Sequence, residues 1–185
     1  KELLVSDRNG ALYRVAQSGK QKKQILGVPK VLYKSQGGLL DIAVHPNFSN
    51  NKLIYISYSH EIATGSNKTF SRTTSFTRIA MARLEEYTLK DLKVIYKADA
   101  KHYTPRAIHF GSRIVFYDNH VYFSVGDSFE RDEAQDLNTP NGKIHRLTLE
   151  GDVPDDNPFK NKDGTVSSIW TYGNRNPQGL ALAKD

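Results

Sequence analysis

The stretch AIHFGSRIVFYDNHVYFSVGD, Ala107 to Asp127, carries two runs rich in Val, Phe and Tyr on either side of a short polar turn. β-branched and aromatic residues in runs of this length, joined by turn formers, predict an antiparallel hairpin. The plan recurs along the chain. ELLVSDRNGALYRV, Glu2 to Val15, reads as a strand, a tight Asn9-Gly10 turn and a second strand. GLLDIAVHPNFSNNKLIYISYS, Gly38 to Ser59, repeats it with a longer loop, and GLALAKD, Gly179 to Asp185, reads as the opening strand of a further copy. In LIYISYS, Leu53, Tyr55 and Ser57 point opposite to Ile54, Ile56 and Tyr58, so both faces are largely apolar and a layered sheet is expected.

Aligning Ile42 with Ile114, and Ile114 with Leu180, gives spacings of 72 and 66 residues, a loose period of one small antiparallel sheet per repeat. That spacing suits a β-propeller. Closed propellers have about four to eight blades, and 185 residues hold only two to three such repeats, so an incomplete propeller is expected. SHEIATGSNKTFSRTTS, Ser59 to Ser75, and DSFERDEAQDLNTPNG, Asp127 to Gly142, read as polar insertions between strands, the kind of loop that builds sites at one end of the blades.

Composition narrows the function classes. A hydrophobic fraction of 38% with 10% aromatics is ample for a core. The net charge of +6 arises from 26 Lys and Arg scattered among 20 acids, and GKQKK, Gly19 to Lys23, is the one short basic run, so no nucleic-acid interface is expected. The absence of cysteine excludes disulfides and Cys-ligated zinc. No apolar run approaches the roughly 18 residues of a membrane span, and KELLVSDRNG lacks the apolar segment of a signal peptide; the chain reads as soluble and already processed. His45 precedes Pro46 and reads as a turn residue. His60, His102, His120 and His145 lack metal-ligand spacing, and Asp152, Asp155 and Asp156 read as turn formers. Asn47 and Asn67 begin glycosylation sequons.

Four motifs in order carry a resemblance: SQGGLLDIAVHPNF (Ser35 to Phe48), HFGSRIVF (His109 to Phe116), AQDLNTPNGKIHRLTLEGDVPDDNPF (Ala134 to Phe159) and IWTYGNRNPQGLA (Ile169 to Ala181). Together they resemble the soluble aldose sugar dehydrogenases, quinoprotein relatives of soluble glucose dehydrogenase in the glucose/sorbosone dehydrogenase family. The resemblance is strong from about Ser35 onward and weak across Ser59 to Arg106. It implies an all-β, six-bladed β-propeller, present here as a single partial domain of roughly three blades cut short at both ends. It also implies pyrroloquinoline quinone (PQQ) at the axis, calcium with ligands beyond residue 185, an aldose substrate, an external electron acceptor, and a periplasmic or secreted location.

The family's pattern assigns roles to particular residues. Oxidation of a sugar to its lactone needs a base for the anomeric hydroxyl proton, which neutral imidazole supplies near neutral pH, and the resemblance gives that role to His109. Asp127 ends the partner strand of the same hairpin, so its carboxylate returns toward His109 and fits an orienting partner; it fits an ordinary turn aspartate after Gly126 as well. Arg175 and Asn176 are implied as hydrogen-bond donors to the cofactor, Arg175 at the oxygen that gains charge. Gln36 is implied as a sugar contact. Ile108 stands where glucose dehydrogenase carries a sugar-binding aspartate, so broad or different aldose use is expected rather than strict glucose preference. The alternative is a non-catalytic propeller used for binding, as in Hedgehog-interacting relatives, against which the joint presence of His109, Asp127, Arg175 and Asn176 argues. A lactonase would need a metal-binding carboxylate cluster, and none is visible in the sequence.

Overall fold

The computed structural model describes residues 2–64 and 72–183; the second sequon, at Asn67, lies outside them. Three antiparallel meanders follow one another. The first is β1 (Glu2–Ser6), β2 (Leu12–Ala16) and β3 (Lys22–Ile25). The second is β4 (Leu39–Val44), β5 (Leu53–Thr64), β6 (Arg72–Glu85) and β7 (Thr88–Tyr96). The third is β8 (Ile114–Tyr117), β9 (His120–Val125), β10 (Lys143–Thr148) and β11 (Ile169–Thr171). Helix among the described residues amounts to the single turn α1 (Phe48–Asn51) and two short 3-10 segments, Ala100–His102 and Arg131–Ala134. These are consecutive blades of a β-propeller. Ile42 and Ile114 fall in β4 and β8, the first strands of the two four-stranded sheets, so the 72-residue spacing is the blade repeat.

The alternation in β5 explains the stacking. Ile54, Ile56 and Tyr58 pack with Leu12 and Ile25 of the first sheet, while Tyr55 packs on the other side with Phe76, Val121 and Phe123. Ile54, Tyr55 and Ile56 are fully buried, and each such side chain stabilises the fold by about 1.5–3 kcal/mol. A sheet apolar on both faces is stable only between two others.

Several elements differ from the reading of the sequence. Ser59 to Ser75 is not a loop at its ends: β5 runs to Thr64 and β6 starts at Arg72. Its buried hydroxyl residues Ser59 and Thr74 mimic a polar insertion because their side chains bond backbone instead of water. Ser59 Oγ donates to Leu32 O at 2.8 Å, and nearby Ser57 Oγ and Thr77 Oγ1 donate to Ser112 O and Phe110 O, each at 2.7 Å. The basic run belongs to the outer strand β3, where Lys22 and Lys23 lie over the rings of Tyr13 and Tyr87. At the first hairpin only Gly10 takes a positive φ, because three residues, Arg8 to Gly10, lie inside the pair closed by Asp7 N to Ala11 O, rather than two. Residues 179–183 form no strand, since nothing among the described residues supplies a ladder partner.

His145 sits in the core between the second and third sheets, stacked on Phe123 and bonded through Nδ1 to Ser168 Oγ at 2.9 Å. Burial lowers its pKa to about 3, from an ordinary 6.5. The unfolded chain therefore binds more protons than the folded one between those values. Stability is full above about pH 6.5 and falls as pH drops toward about 3. Melting temperature recorded against pH should show this decline, and His145→Gln should flatten it even where the substitution lowers the neutral-pH value.

Candidate functional site

The loop entering β8 is strongly bent: His109, Gly111 and Ser112 have φ of 55°, 62° and 85°. Non-glycine residues persist in this region only when their surroundings fix them, and here nearly every backbone group is tied. His109 N–H donates to Gln36 Oε1 at 2.8 Å, Gly111 N–H to Asn176 Oδ1 at 2.9 Å, and Ser112 N–H to Ser124 O at 2.7 Å. The carbonyls of Phe110 and Ser112 accept the Thr77 and Ser57 hydroxyls from the second sheet. The loop is thus held from two sheets and from the segment after β11.

This clamp places the His109 ring against Asp127, with Nδ1 2.7 Å from Oδ1. Asp127 is 1% exposed. Its Oδ1 also accepts Phe129 N–H at 2.8 Å, its own N–H donates to Arg175 O at 2.8 Å, and its carbonyl accepts Asn141 Nδ2 at 3.2 Å. A carboxylate accepts hydrogen bonds, so the shared hydrogen sits on Nδ1, and in the neutral ring the lone pair is then on Nε2. Nε2 has no hydrogen-bond partner among the described residues. An oriented imidazole with a free lone pair can take a proton from a bound molecule.

Gly126 makes the pairing possible. A Cβ at this position would lie 1.9 Å from His109 O and 2.4 Å from its carbonyl carbon, so only glycine lets the loop close onto the end of β9.

The five residues singled out from sequence converge, though not all through the groups expected. Arg175 reaches Asp127 through its backbone carbonyl, while its guanidinium is exposed and has no ion pair or hydrogen bond among the described residues. Asn176 spends Oδ1 on Gly111, and its Nδ2 has no partner among the described residues. Gln36 spends Oε1 on His109 N–H and likewise keeps its amide donor. Asn176 and Gln36 therefore position the histidine loop as well as offering donors to a ligand.

Sequence reasoning missed Asn141, Lys143 and Phe129. Lys143 is fully buried and donates to the carbonyls of Glu133, Ala134 and Asn141 at 2.8, 3.1 and 2.6 Å, with burial lowering its pKa to about 8. It braces the loop that carries Asn141 behind Asp127. A lysine after Asn-Gly in a polar stretch reads as solvated surface, and only the three-dimensional path of residues 127–142 reveals the burial. His45 sits in its turn as the sequence suggests, with Nδ1 accepting Asn47 N–H at 2.9 Å. Asp156 pairs with Arg146 at 2.8 Å. Among the described residues no group of three or more His, Asp or Glu could hold a metal ion, and no helix is long and apolar enough to cross a membrane.

Residues 1–185 match the family described as Glucose / Sorbosone dehydrogenase. An aldose sugar dehydrogenase of Escherichia coli strain K12 is 37% identical over 184 residues, taking in 97% of this chain and 47% of that protein. A solved structure of a glucose dehydrogenase superposes with a TM-score of 0.84 at 33% identity, over 99% of this chain and 55% of that one. The PQQ-bound form of an aldose sugar dehydrogenase from Streptomyces coelicolor superposes with a TM-score of 0.74 at 27% identity, over 95% and 48% of the two chains. The chain spans about half the length of the relatives it matches.

Proposed function

The chain belongs to the glucose/sorbosone dehydrogenase family, and from that premise we propose that the whole protein oxidises the anomeric hydroxyl of an aldose to a lactone with PQQ as cofactor, in the periplasm or outside the cell. The observation that carries this reading is the buried His109–Asp127 pair with Nε2 free, next to the loop of Arg175 and Asn176. The donor set suits the group: PQQ is an anionic o-quinone, and the exposed Arg175 guanidinium and the Asn176 Nδ2, carried on the segment bonded to Asp127 and to the histidine loop, have no partner among the described residues. When bound, PQQ supplies a two-electron acceptor for hydride.

The chain's own residues account for the proton. His109 Nε2 takes the proton of the C1 hydroxyl as the C1–H bond gives up its electron pair and the C1–O bond becomes a carbonyl. Asp127 keeps Nδ1–H in place and stabilises the imidazolium that results. Arg175 offers its guanidinium where negative charge develops on the acceptor. The Gln36 amide is free to donate to a sugar hydroxyl, and the aliphatic Ile108 beside the base sets no polar demand for one particular sugar. Calcium, with ligands outside this chain, and an external electron acceptor complete the proposal. A scaffold used only for binding has no need of a buried carboxyl partner behind a free imidazole nitrogen.

The test is the ultraviolet-visible spectrum of the whole protein reconstituted with PQQ and calcium, before and after addition of aldoses. Reduction of the bound quinone supports the enzyme; an unchanged spectrum with every aldose contradicts it. In the same assay Asp127→Asn should slow quinone reduction no more than removal of the histidine does, because the ring stays while its tautomer and charge support are disturbed.

A further inference from the structure

Next to the pair, Ser128 and Phe129 both take positive φ, 51° and 69°. This second bent segment turns the Phe129 ring toward His109, with centroids 5.6 Å apart. Two arginines attach to that ring: the guanidinium carbons of Arg106 and Arg131 each lie 5.0 Å from its centroid. Arg106 is fixed further by Nη1, which donates to Phe129 O at 3.2 Å and approaches Glu130 Oε1 at 3.5 Å. That glutamate is half-buried and is the one carboxylate within ion-pair distance of either arginine among the described residues. Arg131 is exposed and has no ion pair among them. Two guanidinium groups held on the ring that packs on the proposed base, with Glu130 the one carboxylate within ion-pair distance among the described residues, form a recognition surface for a planar anion.

We propose that Arg106 and Arg131 select an aldose bearing a carboxylate remote from C1, that is, a uronic acid, and are specificity-determining residues of the site. The inference rests on the dehydrogenase reading. C1 is oxidised as described above, and the carboxylate takes no part in the chemistry; it receives guanidinium hydrogen bonds that a neutral hexose cannot accept. The sugar's carboxylate is chosen over those of the cofactor because both arginines are held on the ring that packs on His109, whereas the residues assigned to the cofactor lie on the segment after β11.

The experiment compares glucuronate and galacturonate with glucose and galactose on the reconstituted whole protein, at low and high salt. The ratio of kcat/KM for uronate over neutral sugar should exceed one at low salt, fall as salt rises, and drop roughly tenfold or more in Arg106→Gln and in Arg131→Gln, the loss expected for a charge-assisted hydrogen bond. Melting temperature controls for folding, and Arg131→Gln, an exposed change with a single ring contact, remains informative if Arg106→Gln is unstable. Isothermal titration of the cofactor-free protein with glucuronate should show the same loss of affinity in the variants. No preference for uronates, or a preference unchanged in both variants, overturns the proposal. So do variants that weaken PQQ binding while leaving the ratio intact, since the arginines would then serve the cofactor. Failure of every sugar to reduce the quinone is a different result, which removes the dehydrogenase reading itself.

Discussion

Replacing His109 by alanine in the whole protein should lower the turnover number for aldose oxidation by roughly 10² to 10⁴, the range for loss of a positioned general base. PQQ should remain bound and the melting temperature should change little. The structure accounts for that separation. The loop around His109 is fastened through backbone groups, to Gln36, Asn176, Ser124, Ser57 and Thr77, and none of those bonds uses the imidazole. What is lost is the Nε2 lone pair and the partner of Asp127. Asp127 retains Phe129 N–H on its carboxyl oxygen, so that oxygen is not left without a partner. Steady-state kinetics alongside a cofactor titration and a thermal melt would show activity falling alone.

Gly126→Ala should do the opposite and remove activity and stability together. Its Cβ would meet the carbonyl oxygen of His109 at 1.9 Å and its carbon at 2.4 Å. Both are backbone atoms of a loop pinned from several directions, so no side chain can swing aside to relieve the overlap. Inserting a methyl into a packed site typically costs about 1–3 kcal/mol, and an overlap with fixed backbone belongs at or above the upper end. The same Cβ would stand 3.1 Å from Asn176 Oδ1, loosening the bond that holds Gly111. A melt showing a clear drop, with PQQ-dependent activity lost in parallel, is the expected result. A variant as stable as the parent would mean that the loop does not close onto β9 as described.

How much of this was legible in the sequence differs by element. Strands with strict alternation or dense β-branched content, such as β5, β8 and β9, are written locally, and their two apolar faces already imply sheets stacked on both sides. β3 is not, because KKQI carries one apolar residue and its lysines settle on aromatic rings contributed from elsewhere. The ends of β5 and β6 are hidden for a related reason: buried Ser and Thr look solvent-facing until the carbonyls that receive them are known. In the site, His109 and Asp127 could be paired from the hairpin geometry, since a β-hairpin returns its ends to one edge. The use of Gln36 and Asn176 as backbone clamps could not, as those contacts join residues 73 and 65 positions apart. Lys143 was illegible because its three acceptors are main-chain carbonyls, which leave no mark in the sequence.

The base assignment is tested most directly by the pH dependence of quinone reduction by aldose under single-turnover conditions, for the parent protein, Asp127→Asn and His109→Ala. In the parent the rate should rise with pH as the general base loses its proton, Asp127→Asn should be slower throughout, and His109→Ala should be slow with a flat profile. A His109→Ala protein that reduced its quinone at a near-parental rate, with the parental pH profile, would contradict the base assignment.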